Sequence, residues 1–251
     1  MHCVSGVHDT WRYSQGMCFL DIQKSVEITY DVNTQRHDVP YRRFLLSNSH
    51  SSIVLQHSYA SALSNFILMM ATSKAILTPL KDIKVSTYQI PAFGRIPNTS
   101  IQKKPLMIYH SAFEESASAS TIEDHLSSVG IVSPQWRYTM FSQSHFHSTS
   151  HEVLSVAQGK AKLCFGGEEN PKKVEPIVEK GDVMVVPAGV AHRLLEDIGG
   201  GFSMVGSYPR GKSWDMCYGD EGEEDQVKCI GSLGWFQKDP VYGEEGPSMQ
   251  V

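Results

Sequence analysis

Long hydrophobic runs are missing from this 251-residue chain. Its most apolar window, NFILMMATSKAIL, is broken by Thr72, Ser73 and Lys74 and is too short to cross a bilayer. The opening MHCVSGVHDTW has neither the basic start nor the apolar core of a secretory leader. Positive charge is not in excess either. With 22 Lys and Arg against 27 Asp and Glu the net charge is -5, which argues against nucleic acid as the main partner, since phosphate binding needs a basic face. Cysteine is sparse: Cys3, Cys18, Cys164, Cys217 and Cys229 are scattered, odd in number and form no CxxC pair, so free thiols in a reducing compartment are expected. A cytoplasmic location without membrane association follows as the expectation. There is no GxSxG elbow, no phosphate-cradling glycine loop and no helix-spaced pair of catalytic carboxylates.

What is present changes character along the chain. Residues 1–82 are rich in serine (SNSHSSIVLQHSYASALSNFILMM) and keep neither a period of two nor one of 3.6. They are expected to form a poorly defined, loosely packed N-terminal extension with at most one helix, over 60–77. Residues 83–251 form the expected folded domain. It opens with extended, proline-punctuated sequence, KVSTYQIPAFGRIPNT. SASTIEDHLSSVG then predicts a short helix, with Ser120 as cap, Glu123 three residues on and Gly130 as the stop. Beyond it come short β-type runs, QWRYTMF, EVLSVA, AKLCF, VEPIVE, DVMVVP, HRLLE and FSMVGSY, separated by Gly, Pro and acidic turns. Many short strands with no helices between them predict an all-β, antiparallel sandwich or barrel.

Within this β region SHFHSTSHEVL places three histidines and a glutamate within eight residues, although the whole chain has eleven histidines. Crowded imidazoles repel one another when charged, so a metal ion is the reading to test. Alternation along a strand puts His145 and His147 on one face. After the bend, Glu152 shares a face with Leu154 and Val156, while His151 points the other way, so Glu152 is expected to face inward and His151 outward. A second run, GDVMVVPAGVAH, leads from Gly181 through a Pro-x-Gly turn to His192. Three imidazoles and one carboxylate would suit Mn, Fe, Ni, Cu or Zn better than Ca or Mg, which prefer all-oxygen shells.

The two runs resemble the paired signature motifs of the cupin superfamily, metal-centred jelly-roll barrels also described as double-stranded β-helices. His145, His147, Glu152 and Gly159 meet the spacing of the first motif, and Gly181, Pro187, Gly189 and His192 that of the second. Glu196 stands where an asparagine is usual. STSHEVL, PAGVAH, VGSYPRGKSWD and DPVYGEEGP resemble more narrowly a group of poorly characterised single-domain cupins. The resemblance implies one divalent transition metal held by His145, His147, Glu152 and His192. It also implies a small-molecule substrate or ligand, with a homodimer as the expected assembly.

Three further residues carry expectations. On an unbroken strand Arg137 would share the face of His145 and His147 and would contact a carboxylate-bearing substrate. Cys164, between Leu163 and Phe165, is expected to pack rather than react. Trp214 is expected to pack near one end of the barrel. The favoured function is oxidoreductase chemistry, of dioxygenase or oxidase type, on a small oxygen-rich or carboxylate molecule. The alternatives are a non-catalytic metal-dependent binding or sensing module, and a metal-dependent isomerase or decarboxylase.

Overall fold

The computed structural model describes residues 76–251. The extension expected over 1–82 and the helix expected over 60–77 therefore lie largely outside the described residues. The last two residues of that segment, Ile76 and Leu77, are not helical. Leu77 pairs with Phe113 in a bridge, and both pack on the domain's second hydrophobic cluster.

The elements run in chain order as β1 (Lys84–Tyr88), β2 (Leu106–His110), α1 (Ala119–Val129), β3 (Val132–Tyr138), β4 (Glu152–Gln158), β5 (Lys160–Phe165), β6 (Ile177–Glu179), β7 (Val183–Val186), β8 (His192–Asp197), β9 (Ser203–Pro209) and α2 (Glu224–Ile230). A six-stranded sheet has the order β1-β2-β7-β4-β9-β3, and a three-stranded sheet the order β6-β5-β8. All strand pairs are antiparallel. The result is the expected all-β jelly-roll barrel with a short helix ahead of most of its strands.

Both faces of the larger sheet are buried. Leu106, Ile108, Leu154, Val156, Met184, Val186 and Met204 point between the sheets, against Leu163, Phe165 and Val178 of the smaller one. Their neighbours Met107, Tyr109, Val153, Val183, Val185 and Val205 form a second cluster with Ile122 and Leu126 of α1 and with Phe236 and Val241 of the C-terminal segment. A strand buried on both faces loses its apolar-polar alternation, which is why LMIY and VMVV read as plain apolar runs. The C-terminal segment is pinned by Asp239, which is fully buried and accepts from Tyr109 Oη at 2.8 Å, Ser248 Oγ at 2.9 Å and the backbone N–H of Val241 at 2.9 Å. Gly181, which opens β7, has φ +94°, and a Cβ there would lie 2.4 Å from the Phe113 carbonyl oxygen, so no other residue fits this turn.

Local signals were displaced in two places. The cap of α1 is Ser118, which accepts from the Thr121 N–H, and not Ser120, while Gly130 ends the helix with φ 75° as expected. Strand β3 starts at Val132 and stops at Tyr138, because its partner β9 extends to Pro209 opposite Val132. Cys164 and Cys217 are buried free thiols.

Candidate metal centre

The centre is assembled by backbone pairing. His145 and His192 form an isolated antiparallel bridge, N–H to carbonyl at 3.2 Å in one direction and 2.8 Å in the other, and their rings lie 4.3 Å apart. Two residues on, the His147 carbonyl accepts from the Gly189 N–H at 2.9 Å, tying the first motif to the Pro-x-Gly turn of the second. Glu152 is the first residue of β4. All four side chains are buried. Ring nitrogens of His145, His147 and His192 lie within 4.8 Å of one another. Glu152 Oε2 is 3.4 Å from His147 Nε2 and 3.3 Å from His192 Nε2.

The hydrogen bonds settle where the protons are. Nδ1 of His145 faces the Gln143 carbonyl at 2.9 Å, Nδ1 of His147 the Asp215 carbonyl at 2.5 Å, and Nδ1 of His192 the Val190 carbonyl at 3.0 Å. A carbonyl can only accept, so each Nδ1 carries a proton and Nε2 is the ring nitrogen left to face the centre. Glu152 Oε1 accepts from Tyr208 Oη at 2.5 Å, which leaves Oε2 buried with no hydrogen-bond partner. Three ring nitrogens and an anionic oxygen thus crowd together, with Nε2 of His147 and His192 3.4 and 3.3 Å from Glu152 Oε2. Such a set is stable only around a positive charge, and a transition metal fits it.

The electrostatics say the same. Burial, followed by His192, pushes the His145 imidazole down to about 3. For Glu152 burial favours the neutral acid, but His147 and His192 outweigh it and hold the carboxyl well below its usual range. At His147 burial opposes protonation, yet Glu152 beside it shifts the balance upward. Where no metal sits, a proton is drawn to the same place.

Tyr208 and Trp136 support the carboxylate. The indole N–H of Trp136 donates to Tyr208 Oη at 2.9 Å, and the Tyr208 proton goes on to Glu152. The indole lies directly on Gly206, where a Cβ would approach to 1.9 Å, so glycine is required for this contact. Asp215 holds the turn after His147, accepting from the Ser148 N–H at 2.7 Å and from Ser148 Oγ at 2.5 Å. Tyr208 and Asp215 lie in VGSYPRGKSWD, where Asp215 is expected with Trp214 to close one end of the barrel, but no supporting role for Tyr208 or Trp136 is read from the sequence. The parity of VGSY on its strand, which turns Tyr208 to the same side as Met204, was the one available signal.

Arg137 must be corrected. It is exposed, and its guanidinium binds Glu123 of α1 at 2.6 Å and reaches Ser120. Strand β3 ends at Tyr138 and the chain bends at Ser142 and Gln143, so parity does not carry from Arg137 to His145. It is Trp136 and Tyr138 that line the cavity. His151, expected on the side away from Glu152, faces away from the site but is buried, not solvated. Its Nδ1 accepts from the Ala188 N–H at 3.0 Å and its Nε2 donates to the Gly234 carbonyl at 3.2 Å, with burial lowering its pKa to about 4.

A cavity of about 370 Å³ opens from the four side chains to the surface. Its mouth carries Tyr138, Phe141 and Trp214, which are 70%, 49% and 45% exposed. Trp214, expected as packing, forms a tilted contact with His147 at 5.9 Å.

Residues 130–195 match the cupin family. The uncharacterized protein YjlB of Bacillus subtilis (strain 168) is 33% identical over 169 residues, 67% of this chain and 96% of that protein. RmlC from Streptococcus suis, solved with dTDP-D-xylose, is 12% identical with a TM-score of 0.30, covering 65% of this chain and 91% of that one. The 11S globulin of Wrightia tinctoria is also 12% identical, with a TM-score of 0.26 over 57% of this chain. This chain covers 28% of that globulin. The chain belongs to the cupin family. Among the described residues no helix is long and apolar enough to cross a membrane.

Proposed function

We propose that His145, His147, Glu152 and His192 hold one divalent transition metal and that the protein is a metal-dependent oxidoreductase acting on a small molecule in the adjoining cavity. The observation that supports this most is the convergence of ring nitrogens on a buried Glu152 oxygen that has no hydrogen-bond partner. Mn, Fe, Ni, Cu and Zn all suit three nitrogens and one oxygen. When bound, such an ion supplies a Lewis acid or a centre for reaction with dioxygen. The chain's own residues do the rest. The Nδ1–H bonds to Gln143, Asp215 and Val190 fix the ring planes, and Tyr208 holds Glu152 in its charged form. The methionine and aromatic walls keep bulk water from the reacting molecule.

Among the described residues lining the cavity there is no Lys, Arg or Asp, and no His or Glu beyond the four. The Tyr208 proton is committed to Glu152. Isomerase or decarboxylase chemistry that relies on a separate protein acid or base is therefore less favoured than oxidation. The same apolar lining favours the second reading, a metal-dependent binding module without turnover.

Elemental analysis of protein purified without chelator, then a substrate screen under air and under argon with an oxygen electrode, tests the proposal. One metal per chain with oxygen-dependent product formation is expected. Metal with stoichiometric ligand binding and no turnover would favour the binding module. A chain that takes up none of the five metals would overturn both readings.

A further inference from the structure

We infer that the cavity takes an uncharged molecule with an aromatic body and one oxygen for the metal, rather than a small carboxylate. This rests on the metal-site reading above and narrows its substrate.

The expectation of an anionic substrate depended on Arg137, whose guanidinium is occupied by Glu123 outside the cavity. Arg193, next to His192, is likewise bound to Glu168. Apart from the metal, a carboxylate entering the cavity would find no Lys or Arg among the described lining residues to replace its water. Glu152 offsets one of the two charges of a divalent ion, which weakens the pull of the centre on an anion.

What lines the path is aromatic. Tyr138, Phe141 and Trp214 are all exposed around one opening, although large apolar side chains normally avoid such clustering without a ligand to cover them. The rings continue inward. Phe141 meets His145 edge-on at 5.7 Å, and Trp214 stacks on Tyr208 with 26° between the planes. A planar ring can enter between such faces in stacked or edge-on contact. Met140, Met204 and Met216 form the remaining wall, and their flexible thioethers adapt to an aromatic edge. About 370 Å³ is ample for a two-ring molecule and wasteful for a two-carbon diacid.

Calorimetric titration of the full-length protein, with metal content measured on each sample, tests this. Naphthol serves as the neutral aromatic probe, with oxalate and succinate as anionic probes. Naphthol is expected to bind metal-loaded protein at least about tenfold more tightly than either acid, and both Trp214→Ala and Tyr138→Ala to weaken it about tenfold. Arg137→Ala is expected to change none of the three affinities. Both rim residues are exposed, so these variants should keep the wild-type melting temperature, which is measured alongside. Tighter binding of either acid, or unchanged naphthol affinity in both rim variants, would overturn the inference. A chain without metal that still binds naphthol through Trp214 would sink the metal proposal and leave the aromatic cavity standing.

Discussion

Tyr208 Oη donates to Glu152 Oε1 at 2.5 Å while accepting the Trp136 indole proton at 2.9 Å. The phenol is held on both sides, so it acts as a fixed support for the carboxylate. Tyr208→Phe removes the donor and keeps the ring. Metal affinity should fall about 10–100-fold, as is usual when a ligand loses its supporting hydrogen bond. Stability should fall by about 1.5–3 kcal/mol, the range for hydrogen bonds to charged groups. Competition with a chromophoric chelator and urea unfolding read the two effects. No change in affinity would mean that Glu152 needs no such support.

Glu152 and His151 are chain neighbours on opposite sides of the same strand. Glu152→Gln keeps the shape and removes the charge, so metal content should drop well below one per chain. His151→Gln should keep the metal content of the wild type. It should lower stability by about 1–3 kcal/mol, because the buried Ala188 N–H and Gly234 carbonyl lose their partner. Metal stoichiometry decides between the two, and the reverse pattern would mean the ligand set is wrong.

Removing the metal should destabilise the barrel, since it leaves Glu152 Oε2 without a counter-charge. At a free metal concentration one hundred times Kd the stabilisation is about 2.7 kcal/mol. A melting curve with and without chelator should show that loss. Because Glu152 strengthens proton binding at His147, protons and metal compete there, and affinity should fall as pH is lowered. An affinity that rises in acid would contradict the assignment.

The folded unit should need its residues before β1. Ile76 and Leu77 pack on the second cluster, and the Thr78 N–H bonds the Ala112 carbonyl at 2.9 Å. The Tyr242 hydroxyl donates to the Thr78 carbonyl at 3.0 Å. A chain starting at Lys74 should unfold at the denaturant midpoint of the full protein. One starting at Ile83 should unfold earlier, by the partial burial of two aliphatic side chains, about 1–3 kcal/mol. Equal midpoints for the two would show that this segment adds nothing.

Much of the site could be read before any fold was known. The spacing of His145, His147 and Glu152, and the Gly181 to His192 frame, named four residues that the barrel brings together. Leu154 and Val156 told Glu152 from His151, because period-two alternation on a strand is a local property that neighbours report. The same rule misled at Arg137, where it was carried across the bend at Ser142 and Gln143 and lost its phase.

Ser118 rather than Ser120 capping α1 is a local ambiguity among closely spaced serines, either of which could have met the helix start. The supporting roles of Tyr208, Trp136 and Asp215 could not be read from sequence, because Tyr208 and Asp215 reach Glu152 and Ser148 from dozens of positions away, and Trp136 reaches Tyr208 only through pairing of β3 with β9. The aromatic mouth escaped notice for the same reason. Sequence by itself determined the spacing of the candidate donors and the strand-rich architecture, since both depend on spacing and alternation within a few residues. Tertiary structure alone decided what supports the donors and what can reach them, because those depend on which distant strands lie side by side.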